Sequence, residues 1–297
     1  MQKDQLIKAL DKNNQVRVIL ARTTALVNEA ADRHKTSATA AAALGRVITA
    51  ALIMAADLKG ERDMLTIRID GNGPAGPIIA SADAHGTVRA LISNPQADLP
   101  SEQPGKLAVG ELVGKEGFVE VIKDLGLRQP FIGKVELVSG EIAEDLASYY
   151  LKSEQTPSLV ALGVMVAPDL QVISAGGLLV QAMPGADDEL LAQLEENITQ
   201  MEKLSAALEK TPQLEVLMEQ IMKGIEYRLV GQQDLYFKCN CSFERLRNIL
   251  SSLSEEEMNK MLNEEGQIEV VCNFCNEVYH YRAEDILKHK KASDTEV

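Results

Sequence analysis

Four cysteines in two close pairs limit what this chain can become more than any other feature. Cys239-Asn240-Cys241 and Cys272-Asn273-Phe274-Cys275 hold all the cysteine of 297 residues, and 30 residues (242–271) separate the inner two. Two short thiol pairs brought together by a folded insert form the ligand pattern of a four-thiolate zinc site, with sulfurs at tetrahedral corners about 2.3 Å from the metal. The second pair has the usual knuckle spacing. The first does not, since Cys-x-Cys lies outside the common range. In an extended chain, however, residues i and i+2 project to one side. Cys239 and Cys241 can therefore reach one ion, and can also pair with each other once it is gone. A plain zinc staple holding a small lobe, or four unrelated buried thiols, would use the same residues.

Length and charge narrow the rest. A chain of 297 residues is long for one core, so two or three units are expected. The net charge of −14 repels DNA, RNA and anionic membrane, so neither nucleic acid nor membrane is expected as a partner. Met1-Gln2-Lys3-Asp4-Gln5 opens no apolar signal core. The longest apolar run, Ala38 to Ala56, is interrupted by Gly45 and Arg46. Together with the low cysteine count, these features point to the reducing cytoplasm, where thiols stay free to bind metal.

The fold expected is α+β: an N-terminal mixed sheet-and-helix domain over 1–183, an acidic amphipathic helical linker over 184–230, and a small C-terminal zinc-binding domain over 231–297. Gln15–Arg22 alternates Val16, Val18 and Leu20 on one face and reads as a strand. Helices are expected over Thr23–Lys35, with His34 a surface or capping residue, and from Ala38, capped by Ser37, to about Asp57. Strands follow at Leu65–Ile69, Ile78–Ala82, Thr87–Ile92, Phe118–Ile122 and Phe131–Val138. Gly71-Asn72-Gly73-Pro74 is a turn and not a phosphate loop, because no helix with Lys-Ser/Thr opens after it. Glu141–Tyr150 is a helix. Pro157–Ala167 and Gln171–Met183 form a hairpin, in which Gly176-Gly177 marks a bulge or a close backbone contact. Ser174 lacks the leading glycine of a nucleophile elbow, and no catalytic residue is expected in 1–183.

From Asp187 to Glu226 the character changes. Ten acidic and three basic residues give these 40 residues half the net charge of the chain. Leu190, Leu191, Leu194, Ile198, Met201, Leu204 and Leu208 make one apolar stripe. Thr211-Pro212 starts a second helix as cap and first residue. Leu214, Leu217, Met218, Ile221, Met222 and Ile225 then recur at helical spacing. Such stripes must lie on something. They suit an ordinary helical pair packed on the first domain. They also suit a switchable surface, kept soluble by its charged face and made adaptable by its methionines.

The last unit begins near Leu235. Ser242 opens one helix, and Ser254 with Glu257 makes a capping box for the next. Gln267–Val271 and Glu277–Tyr281 flank the Cys-x-x-Cys turn, and Ala283–Lys290 is a terminal helix. So small a unit with few large apolar groups is marginal without a cross-link. Four cysteines complete a tetrahedron, which leaves His280 and His289 as surface residues.

Phe237-Lys238-Cys239-Asn240-Cys241-Ser242 and Cys272-Asn273-Phe274-Cys275 carry a resemblance that extends over essentially the whole chain. Tyr149-Tyr150 with Ser153-Glu154-Gln155-Thr156-Pro157, and Gly176-Gly177-Leu178-Leu179-Val180-Gln181-Ala182-Met183-Pro184, support it. The chain resembles the redox-regulated 33 kDa chaperonins, bacterial heat-shock holdases. The resemblance implies a dormant reduced form in which Cys239, Cys241, Cys272 and Cys275 hold one Zn2+ per chain. It implies oxidation to two disulfides, zinc release, a homodimer, and ATP-independent binding of unfolding client proteins under oxidative and heat stress; it implies no enzyme. Four cysteines allow three connectivities; the implied disulfides are expected within the pairs, Cys239–Cys241 and Cys272–Cys275. Melting of the lobe would then unseat the neighbouring helices and offer Leu194, Ile198, Met201, Leu214, Leu217, Met218, Ile221 and Met222 to clients.

Three rivals share the cysteines. A dithiol oxidoreductase would place Cys-x-x-Cys at a helix start in a βαβ pattern. A nucleic-acid zinc ribbon would need more basic residues than Lys288, Lys290 and Lys291. A constitutive scaffold would behave alike when reduced and oxidised.

Overall fold

The structure, a computed structural model, describes residues 3–101, 103, 105–262, 266–282 and 284–286. The chain divides into two compact units, residues 1–238 and 239–297. The first is organised around α2 (Ala38–Ala55), 16 of whose 18 residues are buried. Ser37 caps α2 by accepting a hydrogen bond from the Ala40 amide. By length and composition α2 could cross a membrane, yet 89% of it is buried in the protein as a core helix.

Alanine and glycine keep the surface of α2 shallow, so two sheets pack closely on it. One contains β1 (Gln5–Asp11), β2 (Val16–Arg22), β8 (Ser158–Val166), β9 (Val172–Ala182) and β10 (Tyr227–Asp234) in the order β10-β1-β2-β9-β8. The other contains β3 (Met64–Asp70), β4 (Ile78–Asp83), β5 (Thr87–Ile92), β6 (Phe118–Asp124), β7 (Phe131–Glu136) and the two-residue β11 (Tyr236–Phe237), in the order β11-β5-β4-β3-β6-β7. Among the described residues of these sheets, only β11 against β5 is parallel. α1 (Thr24–His34) and the short α3 (Val109–Val113) lie beside α2, while α4 (Ala143–Lys152) packs on β6, β7 and β8. Gly71 and Gly73 pass so close to the backbone at the end of α3 that a β-carbon on either would fall within 2.5 Å of a carbonyl oxygen there.

The five-stranded sheet is covered on both faces. Along β2, Ile19 and Ala21 point into the core with α1 and α2, whereas Val16, Val18 and Leu20 point into a second core. That second core is roofed by α5 (Asp188–Gln200), α6 (Leu204–Lys210) and α7 (Leu214–Ile221). Leu194, Leu214, Leu217, Met218, Ile221 and Met222 are buried in it, with Ile198 and Met201 partly buried at its margin. In this state the acidic segment packs its apolar stripes on the first domain.

Two features differ from the expected helices. The stripe over 190–208 is split, because the chain turns extended at Met201 and restarts as α6. Thr211 closes α6 and does not cap α7, which begins at Leu214. Arg22 supplies the reason for the second. Its buried guanidinium donates to the carbonyls of Leu208 (3.1 Å), Thr211 (2.6 Å) and Pro212. Carbonyls turned onto Arg22 hold 211–213 out of the helix. Gly176 allows the same seating, since a β-carbon there would sit 2.4 Å from Leu208 Cδ1.

The expected boundaries at 183/184 and 230/231 also differ from the observed division at 238/239. β10 pairs with β1 from Gln5↔Asp234 to Asp11↔Tyr227, and β11 pairs with β5, which ties 227–237 to the first unit. His34, expected as a surface or capping residue, lies in the last turn of α1 and is buried, with Nε2 3.0 Å from the Ala90 carbonyl oxygen.

Asp4 gives the first unit a pH dependence. Its buried carboxylate accepts from the amides of Leu26 (2.6 Å) and Ala25 (3.2 Å) at the start of α1. Burial outweighs these bonds and the nearby Arg22 charge and pushes the carboxyl up from 3.8 to about 6. A value raised in the folded state means that the folded protein holds the proton more tightly. The contribution is full below about pH 4 and is lost as pH rises through about 6. Asp4→Asn is expected to abolish that loss, at most about 3 kcal/mol. Thermal melts of wild type and variant between about pH 4 and pH 7 check this, the variant giving the flatter profile.

Candidate metal centre

The second unit is small. α8 (Phe243–Ser251) starts at Ser242, whose hydroxyl accepts from the Arg245 amide at 3.1 Å. α9 (Glu255–Met261) starts at the expected capping box of Ser254 and Glu257. β12 (Gln267–Val271) and β13 (Val278–Arg282) form an antiparallel hairpin. Among the described residues its core holds five buried apolar side chains: Leu250, Met258, Ile268, Tyr281 and Ile286. Of the terminal helix expected over Ala283–Lys290, residues 284–286 are helical, and the rest, with His289 and Lys288, Lys290 and Lys291, lie outside the described residues.

The hairpin builds the knuckle. Val271 pairs with Val278, and the Cys272 amide donates to the Glu277 carbonyl at 2.9 Å. The amides of Cys275 (3.3 Å) and Asn276 (2.7 Å) both donate back to the Cys272 carbonyl, with Asn276 at φ 59°. This turn aims the sulfurs of Cys272 and Cys275 at one point. Cys239 and Cys241 approach from the segment before α8, so the two pairs meet.

All four sulfurs lie within 4.8 Å of one another. Cys239 Sγ is 3.7 Å from Cys272 Sγ, and Cys241 Sγ is 3.3 Å from Cys275 Sγ. Four bonds of about 2.3 Å at tetrahedral angles put sulfurs roughly 3.8 Å apart. The residues therefore fit a tetrahedral four-thiolate site, and such soft donors suit zinc or iron–sulfur chemistry. Cys275 is buried and the other three are partly buried. His280 lies on an exposed face of β13, 3.8 Å from Glu269, and is not among the clustered ligands.

The sulfurs are not equivalent. Burial pushes the thiols of Cys239 and Cys275 up. Burial acts the same way on Cys241, but hydrogen bonds from Tyr279 and from the neighbouring sulfurs outweigh it and hold that thiol below its ordinary value. Tyr279, whose hydroxyl is 3.3 Å from Cys241 Sγ, was not singled out from the sequence. The period-2 alternation that places it on the same strand face as Tyr281 was the available signal.

The chain matches the family model described as Hsp33 protein over residues 4–282. It is 48% identical over 283 residues to a 33 kDa chaperonin of Desulforamulus reducens, covering 95% of this chain and 96% of that one. It is 44% identical over 283 residues to a 33 kDa chaperonin of Bacillus subtilis, covering 95% and 97%. The crystal structure of the 33 kDa chaperonin (heat shock protein 33 homolog) of Thermotoga maritima matches with a TM-score of 0.90 at 35% identity, over 99% of both chains.

Proposed function

This chain belongs to the Hsp33 family of chaperones, and from that premise we propose that oxidation of its four cysteines switches on its hold on unfolding proteins. The observation that carries the proposal is the meeting of four sulfurs within 4.8 Å in a unit with so small a core. Zinc, when bound, would keep the sulfurs as thiolates and supply the cross-link that this core lacks, a folding contribution of about 10–16 kcal/mol in zinc-finger peptides.

The chain's own residues supply the chemistry. A cysteine thiolate attacks hydrogen peroxide, forming an S–O bond while the O–O bond breaks and hydroxide leaves. The sulfur of a neighbouring cysteine then displaces water from the sulfenic acid and forms the disulfide. In the folded cluster sulfur contacts run across the pairs as well, from 239 to 272 and from 241 to 275. Within an opened cluster, only Cys239–Cys241 and Cys272–Cys275 keep a partner tethered nearby, and these are the disulfides proposed. Such short loops restrain little of the chain, so the unit unfolds.

Chain continuity carries the effect backwards. Cys239 follows the two-residue β11, which follows the edge strand β10, which follows α7. Loss of these edges loosens α5–α7 and offers Leu194, Ile198, Met201, Leu214, Leu217, Met218, Ile221 and Met222 to an unfolding client. In this scheme the sheets and α1–α4 of the first unit are the scaffold, α5–α7 the responsive segment and the unit that begins at Cys239 the sensor. Homodimer formation on oxidation and ATP-independent holding in the reducing cytoplasm belong to the same proposal.

Treating reduced, zinc-loaded protein with peroxide at mildly raised temperature is expected to release about one zinc per chain. It should also raise binding of an apolar dye and suppress aggregation of a denatured test protein. Zinc release with no change in dye binding or aggregation would break the link between sensor and client surface.

A further inference from the structure

We propose that Tyr279 is a positioning residue of the cysteine centre, its hydroxyl donating a hydrogen bond to the Cys241 sulfur that strengthens the metal site and slows oxidation there. This inference rests on the reading of the four cysteines as a metal-bound, oxidant-sensitive centre.

The geometry comes from one strand. Tyr279 and Tyr281 are two residues apart on β13 and so project to the same side. Tyr279 Oη lies 3.3 Å from Cys241 Sγ. Tyr281 Oη donates to the Phe243 carbonyl at 2.9 Å, and its ring stacks on Phe243 with centroids 4.3 Å apart. The strand that leaves the Cys272–Cys275 knuckle thus grips the other cysteine arm at two successive points, Cys241 and Phe243. Of the two grips, only that of Tyr279 reaches a sulfur.

A phenol hydroxyl is a good donor, and a metal-bound thiolate is an acceptor with lone pairs to spare. Outer-shell partners of this kind fix ligand orientation and tune ligand basicity, and their loss typically costs about 10–100-fold in metal affinity. The same bond draws electron density from the Cys241 sulfur and occupies part of the face that an oxidant must approach. Attack of that sulfur on peroxide, with expulsion of hydroxide, is slowed in consequence.

The test uses the full-length reduced protein. Tyr279→Phe deletes one oxygen and keeps the ring, and Tyr281→Phe deletes the neighbouring hydroxyl, which touches no sulfur. Tyr279→Phe is expected to weaken zinc binding about tenfold in competition with a chromogenic chelator. It should also speed peroxide-driven zinc release several-fold and move the sulfur-to-metal charge-transfer band of the cobalt-loaded protein. Tyr281→Phe should leave band and release rate near wild type. If wild type takes up neither zinc nor cobalt, the metal-centre reading fails and this inference falls with it. If wild type binds and Tyr279→Phe matches it in affinity, band and rate, the role of Tyr279 alone is overturned. Equal losses in both variants would also overturn that role, since a loosened β13 would then explain them.

Discussion

Replacing Cys275 with serine is expected to leave the second unit unfolded in reducing buffer with zinc present and to loosen α5–α7, while the sheets of the first unit and α2 keep their fold. Cys275 is 5% exposed and sits at the closing corner of the knuckle. Serine fits the space but offers a hard, protonated oxygen where a soft thiolate is needed. Among the described residues of this unit, the five buried apolar side chains contribute roughly 1.5–3 kcal/mol each when fully covered. Ordering some 50 residues costs far more than that. The variant should give sharp, dispersed amide signals for α2 and the sheets of the first unit but not for α5–α7 or the second unit, and trypsin should cut within the second unit. Aggregation of a denatured test protein should be suppressed without peroxide. A variant lobe as protease-resistant as wild type would mean that the sulfurs are dispensable to the fold.

The second large effect belongs to Arg22. Its guanidinium is buried between the five-stranded sheet and the α6–α7 turn, and its partners there are carbonyls. Burial pulls the group down from its ordinary value, with the charges of Asp4 and Glu215 acting in the opposite direction. Arg22→Met keeps the stem and leaves three carbonyls without that donor, at about 1–3 kcal/mol for each that stays buried and unpaired. The cheapest relief is for 204–226 to lift off the sheet and find water. Hydrogen exchange in the reduced variant is expected to speed up by 10-fold or more in α6 and α7 and to stay slow in α2. Dye binding should rise before any oxidant is added. Unchanged exchange in α6 and α7 would show that apolar packing alone seats these helices.

Much of this architecture was legible in residue order. Period-2 alternation located β3, whose two faces meet different environments, and apolar runs bounded by turn residues located β4 through β9, to within a few residues. Ser37, Ser242 and Ser254 marked helix starts through side-chain capping, which acts within three residues. The cysteine spacing pointed to the cluster, since a knuckle is also a local structure. What escaped was set over long range. β1 is buried on both faces, which erases alternation, and its partner β10 lies more than 200 residues away. The displaced start of α7 depends on Arg22, about 190 residues earlier in the chain. Nothing local to Thr211-Pro212 signals a buried guanidinium. The hydroxyl of Tyr279 beside Cys241 likewise depends on how β13 meets the first cysteine pair.

The central claim is that residues 239–297 stay folded only while a metal ties their sulfurs. Amide hydrogen exchange on the reduced protein, before and after a zinc chelator with thiols kept reduced throughout, tests it most directly. The expected result is collapse of protection in β12, β13 and α8, with α2 unchanged. Protection in the hairpin that survives metal removal, with all four thiols still free, would contradict it.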